Sequence, residues 1–165
     1  ENAEKNHTKP LIVLLDGVTD PHNLGAIVRS AAAFGASGVV IPSRRSASMN
    51  VTAWKASAGA AARLPIARVS NLVNAIKQCK AQGCFVLGLD GDGTSSVRDS
   101  GLADGPLALV TGAEGDGISR LVKENCDLLT RIEISSEVES LNAAVATGIA
   151  LFEVAAVRRE KAALA

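Results

Sequence analysis

The feature that most constrains the fold is a short apolar run, Leu11 to Leu15, which stops abruptly at Asp16-Gly17. The run contains branched side chains and does not alternate with polar residues, which is typical of a parallel strand buried on both faces. A helical pattern follows at residues 23–34, and the alternation of strand and helix then recurs along the chain. It predicts an α/β fold, a mostly parallel sheet with helices on both faces.

The same alternation predicts the remaining elements. Further strands are expected at 38–41, 66–69, 84–89, 107–111 and 128–134, and further helices at 50–62, 71–82, 119–126 and 141–160. A chain of 165 residues has room for one domain with a sizeable core. We therefore expect one domain over 11–165, preceded by a polar linker or trimmed terminus at 1–10.

The cysteines and the hydropathy indicate the cellular compartment in which the chain is expected. The three cysteines, Cys79, Cys84 and Cys126, are an odd number in a chain able to build its own core, so a secreted disulfide framework is not expected. Their spacing does not suit zinc, and we expect no metal. No apolar run approaches the roughly 20 residues of a membrane span. These observations favour a reducing cytoplasm and no membrane.

The charge distribution is uneven. Lys plus Arg and Asp plus Glu both number 17, and aromatic residues make up only 2%, which argues against a basic nucleic-acid binder with a stacking platform. Yet residues 21–70 contain no Asp or Glu. Their basic side chains are Arg29, Arg44, Arg45, Lys55, Arg63 and Arg68. Such a segment attracts phosphate if its cations share a surface, and does not if they point in different directions.

The first candidate site is the turn from Asp16 to Arg29, where the chain leaves the first strand and enters a helix. The carboxyl end of a strand is where ligands bind in open α/β sheets. Asn23 is a suitable N-cap for that helix, and Arg29 lies about 120° away from it around the axis. An arginine in an apolar helix indicates a bound anion or, alternatively, a side chain that faces solvent.

A glycine-rich loop, Thr111 to Gly117, is the second candidate. Its three glycines let backbone approach a ligand closely, but the spacing is neither the dinucleotide fingerprint nor a Walker A sequence, which argues against NAD and ATP. Glu114 suits a cationic or hydroxyl-bearing ligand better than phosphate. An ordinary turn with a solvated Glu114 is the alternative.

The third candidate is Glu139-Ser-Leu-Asn142, followed by a helix with small residues at 143, 144, 146, 148 and 150. Small residues imply close packing against chain, ligand or a second subunit. Ser140 is expected to cap this helix, and Asn142 to point into a site.

Taken in order, Asn23-x5-Arg29, the loop Gly112 to Gly117, and Ser140-Leu-Asn142 with Gly148 resemble the three motifs of the SpoU, or TrmH, family of RNA ribose 2′-O-methyltransferases. The resemblance runs from about Leu11 to Arg158. It implies an α/β fold with a deep C-terminal trefoil knot, a homodimer, and S-adenosylmethionine as cofactor. By resemblance, the cofactor-binding residues are Thr111, Gly112, Gly115, Ile132, Ile134 and Leu141.

The resemblance also assigns catalytic positions, which are Arg29, Asn23, Glu114, Ser140 and Asn142. Guanidinium is a very poor proton acceptor, so we expect Arg29 to bind the adjacent phosphate and stabilise developing alkoxide, while water or a phosphate oxygen takes the proton. Arg44, Arg45 and Lys55 are expected to contact RNA phosphates.

The wording of the first motif looks most like members that methylate a guanosine of 23S ribosomal RNA. Those members carry an N-terminal RNA-binding domain, which we expect to be missing before residue 1, and Glu137 and Glu139 place negative charge beside the third motif. The alternatives are a transfer-RNA ribose methyltransferase and a non-catalytic RNA-binding paralogue. A nucleotide-binding oxidoreductase lacks its fingerprint here.

Overall fold

The computed structural model describes residues 2–5 and 7–165, and within them six strands form one sheet. The strands are β1 Leu11–Asp16, β2 Gly38–Pro42, β3 Ile66–Val69, β4 Phe85–Leu89, β5 Leu107–Gly112 and β6 Leu128–Thr130. Their spatial order is β3-β2-β1-β5-β4-β6, and each neighbouring pair runs parallel. The predicted α/β fold with a parallel sheet is confirmed.

The connections between the strands are helical. The helices are α1 Asn2–Lys5, α2 Pro21–Ala33, α3 Val51–Ala56, α4 Leu72–Ala81, α5 Arg120–Asn125 and α6 Ala143–Ala163, with a 3-10 turn at Ala60–Ala62. The single helix expected at 50–62 is two pieces, because Ala58 and Gly59 take left-handed backbone angles (φ 49° and 83°) between them. The prediction of one continuous helix there was wrong.

The alternation of side chains along β1 divides the core into two layers. Leu11, Val13 and Leu15 pack with α2, α3 and α6 on one face of the sheet. Leu14 packs with α4 and α5 on the other. Successive strand residues point to opposite faces, so a strand that is apolar at consecutive positions must be covered on both sides. The prediction of helices on both faces is confirmed.

The start of the domain is tied to its last helix by Arg158. The half-buried guanidinium donates to the carbonyl oxygens of Lys9 (2.9 Å) and Pro10 (3.0 Å), and to those of Ala103 (3.1 Å) and Gly105 (2.8 Å). Within the expected linker, residues 2–5 form one helical turn with Ala3 buried, and residues 1 and 6 lie outside the described residues.

Two boundaries near the third motif differ from the prediction. β6 ends at Thr130 rather than Ile134, because the chain leaves the sheet there and Arg131 N–H donates to the Ser95 carbonyl (2.9 Å). The final helix begins at Ala143 rather than residue 141. Residues 131–142 are therefore free to form the wall of a cavity. Over the described ranges, no helix has the length and apolar character that crossing a membrane requires.

Candidate functional site

The site lies where β1 and β5 end side by side at the centre of the sheet. Asp16 is in register with Gly112, and the chain then leaves the two strands toward opposite edges. Such a reversal opens a crevice at the carboxyl ends of the strands, where ligands bind in α/β sheets. The two departing loops are joined by a hydrogen bond from Ser119 N–H to the Asp16 carboxylate (2.7 Å).

A cavity of about 320 Å³ opens at this crevice. Its walls come from the end of β4, the glycine loop after β5 and the segment that leads into α6. All six residues predicted to bind cofactor line this cavity, namely Thr111, Gly112, Gly115, Ile132, Ile134 and Leu141. Its volume lies at the lower end of the roughly 300–1,000 Å³ typical of small-molecule sites.

The glycine loop turns back tightly on itself. A Cβ at Gly112 would collide with the backbone of Gly117, so glycine at this position serves the fold of the loop. Gly115 and Gly117 have positive φ angles (77° and 65°), which glycine adopts without strain. A Cβ at Gly115 would meet nothing within 4 Å. The loop is thus a tight turn that leaves open space beside Gly115 at the cavity.

Side-chain hydrogen bonds bring the three motifs together beside this cavity. Asn142 Nδ2 donates to Asn23 Oδ1 (3.0 Å), which joins the third motif to the first. The Glu114 carboxylate accepts from Ala143 N–H (3.2 Å), which joins the second motif to the third. Three segments distant in sequence therefore share one hydrogen-bonded cluster.

The two predicted helix caps were wrong. α6 is capped by Asn142, whose Oδ1 accepts from Ala144 N–H (2.9 Å) and Val145 N–H (3.1 Å), and Ser140 instead lines the cavity. α2 begins at Pro21, and its cap is Asp20, whose carboxylate accepts from His22 N–H (2.8 Å). Asn23 therefore lies within the first turn of α2, and its side-chain amide is available to Asn142.

The first turn of α6 is also fixed from below. Thr147 Oγ1 lies 3.0 Å from Thr111 Oγ1 and 2.7 Å from the Ala143 carbonyl oxygen, and both threonines are buried. Glu114 adds a negative charge at the amino end of α6, where the helix dipole stabilises it. The contact between Thr147 of α6 and Thr111 of β5 therefore anchors the cluster to the sheet.

Asp90, which was not among the residues predicted from the sequence, lines one end of the cavity. Burial raises the pKa of Asp90, but hydrogen bonds from Asp92 N–H and the Lys123 ammonium outweigh it and hold that pKa below its ordinary value. Lys123 Nζ lies 3.1 Å from Asp90 and 3.5 Å from Asp92, and the hydrogen bond with Asp90 raises the pKa of Lys123. The signal was present: like Asp16, Asp90 directly follows an apolar strand.

Arg29 lies apart from the cavity. Its side chain is exposed in a separate cleft, which it shares with Arg63 and the turn at 58–60. The sequence left open whether Arg29 binds an anion or faces solvent, and in the single chain its side chain faces solvent. None of the six basic side chains between residues 21 and 70 forms an ion pair within residues 2–5 and 7–165.

The loop that carries Arg44 and Arg45 packs against the first motif. Ala47 N–H and the Ser46 hydroxyl both donate to the Val18 carbonyl (2.8 and 3.4 Å). Both arginines are exposed. The described part of the chain holds no group of three or more His, Cys, Asp or Glu side chains placed to hold a metal ion.

A glycine-loop cavity at the reversal point of a parallel sheet defines an α/β protein with a crevice of the kind in which such sheets bind small molecules. The sequence profile of the SpoU rRNA Methylase family matches residues 10–152, and the chain belongs to that family of methyltransferases. The resemblance read from the three motifs is confirmed.

Known relatives agree with this assignment. An uncharacterized tRNA/rRNA methyltransferase of Mycolicibacterium vanbaalenii is 53% identical over 157 residues, which are 95% of this chain and 50% of that protein. The chain spans about half the length of the curated relatives it matches.

Solved structures share the fold. The AdoMet-bound rRNA methyltransferase of Sinorhizobium meliloti superposes with a TM-score of 0.82 at 34% identity, over 92% of this chain and 56% of that one. The TrmH/SpoU tRNA modifying enzyme of A. aeolicus gives 0.83 at 30% identity, over 94% and 78%.

Proposed function

We propose that this chain catalyses S-adenosylmethionine-dependent methyl transfer to a ribose 2′-hydroxyl of RNA. The observation that carries the proposal is the pair of hydrogen bonds, Asn142 to Asn23 and Ala143 to Glu114, that joins the three motifs beside the cavity. An inactive paralogue would be free to lose these contacts, whereas here every side chain of the cluster is present and paired.

The residues of the cavity fit S-adenosylmethionine. Ile132, Ile134 and Leu141 offer apolar walls for an adenine ring, and the open side of Gly115 lets the loop backbone approach the ligand. Ser140 supplies a hydroxyl group in the same cavity, and Thr111 forms part of its wall. When bound, this cofactor supplies an electrophilic methyl group on a sulfonium.

The motif residues have separate proposed roles in binding the RNA and positioning the reacting groups. Arg29 holds the RNA phosphate next to the target ribose and stabilises negative charge on its 2′-oxygen. Guanidinium stays protonated, so water or a phosphate oxygen accepts the hydroxyl proton. Asn23, Asn142 and Glu114 fix the start of α6 against α2 and the glycine loop, while Ser140 faces the ligand. Their contribution is positioning, which in favourable cases supplies about 7–11 kcal/mol of a barrier.

The basic loop and α3 form the proposed RNA contact surface. Arg44, Arg45 and Lys55 are exposed and have no acidic partner in the described residues, so their charge is available to phosphates. Replacing all three with Ala is expected to weaken RNA binding and to flatten its dependence on salt, by about 0.7 in the log–log slope per lost contact with a single strand. Lys77→Ala, on α4 across the sheet, is the matched control. A salt slope equal to that of the wild type would contradict this assignment.

We further propose a homodimer that covers the exposed side of α6. Val145, Ile149 and Phe152 are 51%, 38% and 49% exposed and lie one helical turn apart on one stripe. Phe34, the C-cap of α2, contacts Phe152 edge-to-face with ring centroids 5.9 Å apart and extends the stripe. Sedimentation at micromolar concentration should give the dimer mass, and Ile149→Glu should give the monomer.

The knot, the substrate and the location belong to the same proposal. A C-terminal trefoil knot is part of the proposal because the family that the three motifs resemble carries one. A guanosine of 23S ribosomal RNA is the proposed target, with transfer RNA as the alternative, since the relatives are named for both.

We also propose a further domain that recognises RNA, which agrees with the length of the relatives, about twice that of this chain. Three free thiols suit a cytoplasmic protein.

Calorimetry tests the cofactor half of the proposal. S-adenosylmethionine and its demethylated product should both bind the purified protein at one site per chain. Arg29→Ala should bind them as the wild type does, because Arg29 does not line the cavity. If neither compound bound the wild-type protein, the proposal would fail.

A further inference from the structure

An exposed tryptophan lies within the basic segment. Trp54 is the single tryptophan of the chain and is 49% exposed on α3. Val51, which is 70% exposed, lies one turn before Trp54 on the same side of the helix, and Lys55 follows Trp54 directly in sequence. An indole left half in water within a basic segment offers a flat stacking face beside positive charge.

The packing of α3 holds this ring outward. Gly25 of α2 has no room for a Cβ, since the Ala53 carbonyl and the Ala56 methyl occupy that space. Ala53 is fully buried in this contact, and its N–H is capped by Asn50 (2.9 Å). Turning α3 to bury Trp54 would break the cap and this close helix contact. The indole is therefore fixed on the surface of its own chain.

The surroundings of Trp54 favour a polyanion. No acidic residue occurs between positions 21 and 70, and the loop that precedes α3 carries Arg44 and Arg45. That loop is hydrogen-bonded to Val18 in the first motif, so it lies at the same edge of the sheet as the site. A second copy of this surface would set like charges against each other, which disfavours self-association through α3.

We propose that Trp54 stacks on an unpaired nucleobase of the bound RNA while the neighbouring cations hold its phosphates. This inference rests on the proposed function and gives the chain a base contact within its basic surface. Base–aromatic stacking tolerates any base and combines well with a cationic groove. Loss of one such contact is expected to weaken binding about ten- to hundredfold.

Intrinsic fluorescence tests the proposal directly, because the chain has no tyrosine and its tryptophan emission comes from Trp54 alone. A short unstructured RNA oligonucleotide is titrated into the wild-type protein while anisotropy of a labelled copy reports binding independently. We expect the fluorescence to be quenched along a saturating curve that gives the same Kd as anisotropy. An oligomer of the same length without bases should bind without quenching.

Substitutions provide a second readout. Trp54→Leu keeps bulk and removes the π face, so it should lose about tenfold or more in RNA affinity while calorimetry shows unchanged cofactor binding. Phe85→Leu is the matched control, since Phe85 is 50% exposed at the start of β4, outside the basic segment. It should bind RNA as the wild type does.

The outcomes separate this inference from the proposed function. RNA binding without quenching, together with full affinity in Trp54→Leu, overturns the stacking role and leaves the proposed function standing. Emission that changes with protein concentration in the absence of RNA assigns Trp54 to a contact between copies and also overturns it. Failure of the wild type to bind any RNA, with cofactor binding intact, refutes both.

Discussion

Replacing Asn142 separates the two tasks of its side chain. Oδ1 caps α6 by accepting from Ala144 and Val145, and Nδ2 donates to Asn23. Asn142→Ala removes both, and loss of the cap alone costs about 1 kcal/mol of unfolding free energy. For a chain of this size that lowers Tm by about 2–4 °C. The protein should remain folded at 25 °C, so its activity can be measured.

Asn142→Ser is the informative partner. Serine caps a helix about as well as asparagine, so stability should stay within about 0.5 kcal/mol of the wild type. Its hydroxyl is too short to reach Asn23, so the link between the first and third motifs is lost. Asn23→Ala removes the same link from the other side and leaves both caps in place.

Methyl transfer from S-adenosylmethionine to RNA is then measured for all three variants and for Asn23→Ala/Asn142→Ser. If the link positions the reacting groups, kcat falls about a hundredfold in Asn142→Ser and in Asn23→Ala, and the double variant is no worse than either single one. Thermal denaturation gives the stability of each. Full activity in Asn142→Ser would refute the argument, since Asn142 would then be only a cap.

Three further predictions test other parts of the account. Arg29→Ala should abolish methyl transfer to RNA while calorimetry finds cofactor binding intact, and unchanged turnover would refute the role given to Arg29. Arg158→Ala removes the hydrogen bonds that four backbone carbonyls accept, and it should lower the unfolding free energy measured by chemical denaturation by about 3 kcal/mol. Arg159→Ala, at the exposed neighbouring position, should leave the unfolding free energy almost unchanged. Burial raises the pKa of Cys79 and of Cys126 to about 11, so near pH 8 their labelling by a thiol reagent should be about a hundredfold slower than in urea; equal rates would contradict it.

The sequence predicted the sheet well because its signal is local. The central strands β1 and β5 are continuous apolar runs, and the shorter β3 was also placed at its observed residues. β6 was drawn four residues too long since Ile132 and Ile134 continue its apolar pattern, although they face the cavity instead of a sheet. Periodicity reports that a side chain is covered and does not report what covers it.

The structure brings the predicted site residues together only in part. The six positions predicted to bind cofactor line one cavity because the motifs follow strands that end at the same edge, whereas Arg29 lies in a separate cleft. The caps failed because Asp20 before Pro21 and Asn142 compete with Asn23 and Ser140, and two suitable residues within one turn cannot be ranked from sequence alone. Strand order, the Asn142–Asn23 bond and the outward ring of Trp54 depend on contacts between distant segments.

Mapping of ribose methylation tests the central claim most directly. Purified protein, labelled S-adenosylmethionine and RNA from cells that lack the protein are combined, and the labelled nucleotide is located and identified. We expect one 2′-O-methylated nucleotide, a guanosine of 23S ribosomal RNA, and no label with Arg29→Ala. Label on a base instead of a ribose, or no transfer to any RNA by a protein that binds the cofactor, would contradict it.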